Sequence, residues 1–224
     1  MNTHVKANIA ASVCLIALMF PVAGSCGDEI DQTIEMPASG LVQVDNLAGT
    51  IEFSTWDRSE VQISGEAGDN VEEVEISSST KGVQIRVRNE KNTRRVDGTD
   101  LHLRIPEKAS IEAESVSADI SVSGSSGDNI TLNTVSGDLE VEASPARIEL
   151  SSVSGDIELD GEIMRSGVES VSGDITVVGV AGEINVSTVS GDVSLEAGDV
   201  SRGRFESVSG ELTLELAIED GGRL

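Results

Sequence analysis

A four-residue motif returns along the second half of the chain at intervals of 18 or 19 residues, and it limits the fold more than any other feature. A period below about 20 residues is typical of repeat proteins in which each unit is one coil of a stack, and it is too short for the common helical repeats. Six copies are present: VSAD at Val116, VSGD at Val135, Val153, Val171 and Val189, and VSGE at Val208.

The residues after each motif glycine alternate between apolar and polar. Leu139 and Val141 flank Glu140, and the later copies repeat this pattern. Alternation with a period of two is typical of a half-buried strand. The triplet GDI at 173–175 recurs as GEI at 182–184, so each coil is expected to contain two strands and two turns. We therefore predict an all-β fold, a single-chain β-solenoid (a flattened β-helix or β-roll) with coils of about 18 residues and two short strands per coil.

The motif itself is predicted to form one turn of each coil. Each motif glycine allows a positive φ or a close approach of the backbone. The serines would hydrogen-bond within the turn or along the stack, and the valines would cover the apolar core at a corner. Carboxylates on neighbouring coils repel by about 1 kcal/mol in water, so we expect them to splay into solvent. The motif acids would form a column along one edge: Asp119, Asp138, Asp156, Asp174, Asp192 and Glu211.

Residues 41–115 continue the alternation less regularly, while the regular repeats occupy 116–224. Stretches such as VQVDNLAGTIEF and LHLRIP predict strands that begin the same solenoid or cap it. Residues 89–100, NEKNTRRVDGTD, interrupt them and indicate a protruding loop. The lone Trp56 is expected to fill the core or a turn, and stacking on a sugar is the alternative.

Residues 1–25 form a predicted signal peptide. Lys6 supplies positive charge, and the apolar stretch 9–20 is shorter than the roughly 20 residues that span a bilayer. The VAGSC sequence that follows resembles a bacterial lipobox, which would make Cys26 the diacylated first residue of the mature chain; ordinary cleavage is the alternative. Residues 26–40 would then be a lipidated tether. This places the protein in the bacterial cell envelope, anchored in a membrane and facing the periplasm or the exterior.

The charge of the chain restricts its partners. With 15 Lys and Arg against 40 Asp and Glu, the formal net charge is -25. This charge disfavours nucleic acid and favours cationic partners, divalent ions or solubility alone. A candidate basic loop could contact lipid phosphates, anionic glycans or the acidic edge of another copy, and a solvated loop is the alternative. Its six cationic residues are Lys81, Arg86, Arg88, Lys91, Arg94 and Arg95.

Residues suited to catalysis or metal binding are scarce. The only histidine after the signal, His102, alternates with leucines and is expected to be exposed beside Arg104, not part of a Ser–His–Asp site. We expect no enzyme, no cofactor and no metal site. A glycan-cleaving enzyme with paired carboxylates is one alternative, but the acids repeat with the turns. Calcium is another, although the GGxGxD pattern of β-rolls is missing; its candidate ligands are Asp138, Asp156, Asp174 and Asp192.

Several stretches together resemble a known bacterial family. VQVDNLAGTIEF, WDRSEVQISG, LHLRIPEKASIEAESVSADISV and the SGDI units follow one another over residues 41–216. This order resembles a family of adhesin-like β-strand-repeat domains of unknown function, related to auto-transporter adhesin head regions. The resemblance implies an exported or membrane-linked β-solenoid and supplies no catalytic residues.

We therefore predict a lipid-anchored envelope protein with a non-catalytic binding or scaffolding role. Its partners would be the membrane, through the lipid, and an envelope or surface protein, a glycan or a cationic peptide. Capture of cationic ligands in envelope-stress defence is the alternative function.

Overall fold

The computed structural model describes residues 29–90 and 97–224, and Glu219 by its backbone alone. All regular elements in these residues are strands, which confirms the all-β prediction, and the strands form one continuous sheet. They are β1 (Glu29–Glu35), β2 (Leu41–Trp56), β3 (Glu60–Glu66), β4 (Val71–Ser79), β5 (Gly82–Asn89), β6 (Thr99–Pro106), β7 (Ser110–Ser123), β8 (Asn129–Asn133), β9 (Leu139–Glu142), β10 (Arg147–Ser152), β11 (Ile157–Asp160), β12 (Arg165–Ser170), β13 (Ile175–Ser190), β14 (Val193–Ser209) and β15 (Leu212–Arg223).

Parallel pairing at the repeat interval organises the second half of the chain. On one side, which we call face A, β8, β10, β12 and the later parts of β13 and β14 follow one another, and Ile148 lies beside Ser166. On the other side, face B, the order is β9, β11, the first parts of β13 and β14, and β15, and Leu139, Ile157 and Ile175 align. Each repeat thus gives one strand to each face.

Alternation decides which side chains meet between the two faces. Ile157 and Ile175 are each 1% exposed, whereas Glu158 and Thr176, which follow them, are exposed. This confirms the predicted inward and outward positions. The last repeat differs, since Leu212 is 38% exposed. Its strand β15 pairs only with β14 among the described residues, so one side of this repeat is open.

The N-terminal strands both begin the stack and cover its end. β2 contributes to both faces and pairs in parallel with β7, while β5 and β6 pair in parallel with the two halves of β2 on its other side. Beyond them the pairing becomes antiparallel, with β3 on β6, β1 on β3 and β4 on β5. Antiparallel hairpins and their neighbours therefore shield this end of the stack from further parallel pairing.

Two N-terminal predictions need correction. Part of the expected tether is strand β1, because Ile30 and Ile34 alternate with polar residues and pack on the core when β1 pairs with β3. The expected loop at 89–100 is shorter, because Asn89 still belongs to β5 and Thr99 begins β6. The predicted signal peptide, Cys26, Lys91, Arg94 and Arg95 lie outside the described residues.

Candidate functional site

The six motif copies form one edge of the stack, and we call their outward Val, Ser and Asp or Glu side chains the repeat edge. Backbone hydrogen bonds hold each copy on the previous one. The N–H of Ser154 donates to Val135 O at 2.9 Å, and the N–H of Ser172 donates to Val153 O at 3.0 Å. Ser172 Oγ donates to the same Val153 carbonyl at 3.1 Å. The serines therefore link neighbouring copies, which is one of the two roles predicted for them.

Most motif glycines are required by close backbone contact and not by a positive φ. At Gly155 an added Cβ would lie 1.8 Å from Gly137 O, and at Gly173 it would lie 2.0 Å from Gly155 O. Gly210, with φ 123°, combines a positive φ with a similar contact. The carbonyl of one motif glycine packs on the Cα of the next, so the turn repeats at one strand spacing, about 4.8 Å, only when a Cβ is absent.

The motif acids form a hydrogen-bonded ladder. Asp138 Oδ1 accepts the N–H of Asp156 at 2.9 Å, and Asp156 Oδ1 accepts the N–H of Asp174 at 2.8 Å. The same bond begins the ladder at Asp119 and ends it at Glu211. The carboxylates are exposed to solvent, as expected, and one oxygen of each aspartate also accepts a backbone N–H from the next copy.

This arrangement does not assemble the predicted calcium alternative. The four candidate ligands occur one per coil along the column, and each gives an oxygen to the backbone. Within the part of the chain that the structure describes, no group of three His, Cys, Asp or Glu side chains could hold a metal ion. The four residues concerned are Asp138, Asp156, Asp174 and Asp192.

The valine of each copy points outward, which corrects the prediction that it covers a corner of the core. Val135, Val153 and Val171 are 43%, 43% and 45% exposed. In the four VSGD copies the preceding residue takes the inward position: Ser152, for example, is buried, and its Oγ accepts the N–H of Gly155 at 2.9 Å. A Ser or Thr precedes every motif valine, and this regularity could have revealed the turn from the sequence: Ser115, Thr134, Ser152, Ser170, Thr188 and Ser207.

The repeat edge therefore presents two parallel columns, one apolar and one anionic. Both advance by one strand spacing per copy, so six copies extend over about 24 Å. An ordered exposed apolar surface is typical of an interaction site. The carboxylates beside this apolar column are held in place, so a partner that binds here should also carry positive charge.

A second feature, on the outer side of face A, is a depression of about 550 Å³. We call it the face A depression. Gly167 lies in it without a side chain, and Asn185 and Ser187 are polar members of its lining. The sequence does not reveal this group, because its members come from four strands in successive repeats and meet only through the register of those strands. The charged lining residues are Arg147, Arg165, Arg202, Arg204, Glu149, Glu169, Glu183 and Glu206.

Three of these four guanidinium groups are hydrogen-bonded to glutamates. Arg202 Nη1 lies 3.0 Å from Glu183 Oε1, and the other two arginines pair with the glutamate two residues along their own strands. One of these partners, Glu149, raises the pKa of Arg147 through its hydrogen bond and its charge. Arg165 differs, since its Nε lies 3.9 Å from Glu183 Oε2, beyond hydrogen-bond distance.

The candidate basic loop is partly a strand. Arg86 and Arg88 lie on β5 and point outward, because the residues between and beside them are buried. Arg86 Nε lies 3.2 Å from Asp45 Oδ2, and Arg88 Nη2 lies 3.2 Å from Glu75 Oε1. Lys81 lies in the turn between β4 and β5. Acidic neighbours therefore balance both arginines in the described part of this group.

His102 and Trp56 occupy structural positions. His102 is exposed, as predicted, and its Nδ1 lies 2.7 Å from Glu52 Oε2 on β2. The hydroxyl of Ser64, on the adjacent β3, donates to the His102 carbonyl at 3.3 Å and not to the ring, so these residues form no activated nucleophile. Trp56 closes the turn between β2 and β3 by donating from Nε1 to a backbone carbonyl at 2.8 Å.

Comparison with known proteins gives the class of this strand-repeat protein. Residues 42–221 match the Toastrack DUF4097 family, so the chain belongs to that family. This confirms the family resemblance noted in the sequence. None of the curated proteins matches the chain. Among the described residues, no helix is long and apolar enough to cross a bilayer.

Several solved structures are similar over most of the chain at low identity. A candidate adhesin of Bacteroides fragilis is 14% identical with a TM-score of 0.41, over 85% of this chain and 97% of that one. A candidate cell adhesion protein of Clostridium sporogenes is 9% identical with a TM-score of 0.34, over 86% and 98%. A candidate lipid-binding protein of Parabacteroides distasonis is 12% identical with a TM-score of 0.32, over 86% and 97%.

Proposed function

We propose that the protein is an exported, lipid-anchored β-solenoid of the cell envelope that binds its partners without catalysis, through the repeat edge. The observation that carries the proposal is the pair of columns on that edge, apolar valines beside backbone-held carboxylates. The ligand they fit is a cationic segment that also carries apolar side chains. The 18- and 19-residue offsets on both faces support the solenoid, and the sequence before Cys26 supports export and the anchor.

The geometry of the edge favours an extended or amphipathic ligand that lies along the stack. Each aspartate uses Oδ1 for the backbone, so its second oxygen can accept from a Lys or Arg of the ligand. Exposed Val153 and Val171 offer apolar contact beside those charges. Charges at a regular spacing attract many cationic sequences without a shaped pocket, and the attraction weakens as salt screens it.

A non-catalytic role agrees with the side chains present. The imidazole of His102 is paired with Glu52, and the nearby Ser64 hydroxyl is bonded to the backbone. The motif carboxylates are repeated and individually bonded, whereas glycoside hydrolysis needs one pair of carboxylates with different roles. Binding therefore accounts for the repeat better than a reaction does.

The test measures binding of a labelled peptide of alternating Lys and Leu by fluorescence anisotropy, at low and at high salt. We expect binding at low salt and displacement at high salt. A variant with all four ladder aspartates changed to Asn should bind about tenfold more weakly or worse, because four attractive charges are removed. Asn can still accept the backbone N–H, so the fold should persist. The four changes are Asp138→Asn, Asp156→Asn, Asp174→Asn and Asp192→Asn.

A matched control removes four carboxylates from the outer side of face B. These side chains are also exposed and lie on β9 and β11 of the same coils, but away from the turn. The control should bind clearly better than the ladder variant. If both variants lose the same affinity for the peptide, net charge alone explains the binding and the repeat edge is not the site. If the ladder variant binds as tightly as the unmutated protein, the proposal is refuted. The control changes are Glu140→Gln, Glu142→Gln, Glu158→Gln and Asp160→Asn.

A further inference from the structure

Nearly all the cationic residues of the regular repeats line the face A depression. Binding at the repeat edge does not explain this concentration of positive charge. Its arginines come from different repeats, and register brings them together: Arg165 aligns with Glu183, and Glu183 with Arg202. We propose that this depression binds a carboxylate-bearing oligosaccharide. Between 116 and 224 the cationic residues are Arg147, Arg165, Arg202, Arg204 and Arg223, and the first four line the depression.

Arg165 is the group that binds the carboxylate. Its side chain is 67% exposed, and its Nε lies 3.9 Å from the nearest Glu183 oxygen. Glu183 is held instead by Arg202, at 3.0 Å. The planar fork of a guanidinium matches a carboxylate with two parallel hydrogen bonds, and a ligand can supply these because Arg165 makes only the long ion pair with Glu183.

Gly167 provides the space beside Arg165. It occupies the next outward position on β12, with Glu149 and Asn185 as its register neighbours on β10 and β13. An added Cβ would meet no atom closer than Glu149 Cγ at 3.9 Å, and its φ is not in the left-handed region. Unlike Gly155, this glycine is required neither by backbone packing nor by its conformation. Its missing side chain instead opens the outer face next to the available guanidinium.

The remaining lining fits the hydroxyl groups of a sugar better than a peptide backbone. Asn185 donates and accepts, Ser187 does both, and Glu169 accepts, so sugar hydroxyls find both kinds of partner. The strands β10 and β12 and the later part of β13 are paired on both sides, so these three strands offer no edge for an added peptide. The lining has no aromatic side chain on which nucleic-acid bases could stack.

The face A depression can bind an acidic ligand although the protein as a whole is acidic. Four arginines and four glutamates line the depression, so its own charge is balanced although the chain carries -25. At physiological ionic strength, charges beyond about 8 Å are largely screened. The depression crosses four strands, about 14 Å, which gives an extended oligosaccharide more than one contact.

The experiment is calorimetric titration of the folded protein with a trimer of galacturonic acid in 0.15 M NaCl, beside the neutral trimer of galactose. We expect the acidic trimer to bind and the neutral trimer to bind about tenfold more weakly or not at all, because the charged hydrogen bonds to Arg165 are lost. Arg165→Gln should weaken binding of the acidic trimer by a similar factor. Gly167→Leu, which fills the depression without changing charge, should do the same.

The control is Arg104→Gln, which removes another exposed arginine from β6, outside the depression. It should leave binding unchanged, and so should neutralising the aspartate ladder, which separates this site from the repeat edge. The proposal is overturned if the acidic trimer fails to bind, if the neutral trimer or a tri-glutamate peptide binds as tightly, or if Arg165→Gln binds normally. Since Arg165→Gln changes only an exposed side chain, it tests the site even if Gly167→Leu does not fold.

Discussion

Single atoms decide whether the turns of the repeat edge can stack. The missing Cβ of Gly155 lets the Gly137 carbonyl pack against its Cα, and Ser152 Oγ accepts the N–H of the same glycine. The Asp156 N–H next in the chain is taken by the carboxylate of Asp138. The motif and the residue before it therefore give the turn the space that it needs at Gly155. They also supply acceptors for the N–H groups of Gly155 and Asp156.

The clearest prediction at the residue scale is that Gly155→Ala destabilises the protein by about 3 kcal/mol, because the new Cβ collides with a backbone carbonyl that cannot move independently. Gly198→Ala is the matched control, since an added Cβ there meets nothing within 4 Å. It should change the free energy of unfolding by about 0.5 kcal/mol or less. Urea denaturation of both variants measures the difference. Similar unfolding midpoints for the two would contradict the close contact in the turn.

At the scale of strands, the sequence predicts which strand residues point inward, because these alternate regularly. It does not predict which residues of the turn point inward. The inward Ile157 and the outward Glu158 follow from a period of two, and both are confirmed. The outward Val153 was missed because a valine at a strand end looks like a core residue, whereas the buried Ser152 caps a backbone N–H. The face A depression was also missed, since periodicity alone does not show which outward side chains of different repeats meet.

The prediction at this scale concerns two neighbours on β13. Ile175 is 1% exposed and Thr176 is exposed. Ile175→Asp should cost about 4 kcal/mol, because it places a carboxylate in the core without a partner. Thr176→Asp should cost about 1 kcal/mol, mainly from repulsion by Glu158 on the adjacent strand. The measurement is again the free energy of unfolding in urea. If the two changes cost the same, the assignment of inward and outward faces is wrong.

At the scale of the whole molecule, charge and chain length limit how the protein can attach to a membrane. A chain with a net charge of -25 is repelled by anionic lipids, so electrostatic attraction cannot hold it there. The lipid proposed at Cys26 would supply the attachment instead. Because β1 begins at Glu29, three residues after Cys26, this proposed anchor would lie at most about 11 Å from the fold along the chain. With such an anchor we expect the folded body to lie against the membrane surface and not on a long tether.

The corresponding prediction is that Cys26→Ala moves the protein from the membrane fraction to the soluble fraction of cells. Two or more acyl chains hold a protein firmly, whereas an acidic body without them is not attracted to anionic lipids. Cys14→Ala is the matched control: it changes the other cysteine of the chain, which lies in the predicted signal peptide, and should leave the protein in the membrane fraction. Mass spectrometry of the mature N-terminus should find acyl groups on Cys26. A soluble unmutated protein with a free N-terminal thiol, or a Cys26→Ala variant that stays in the membrane, would contradict the anchor.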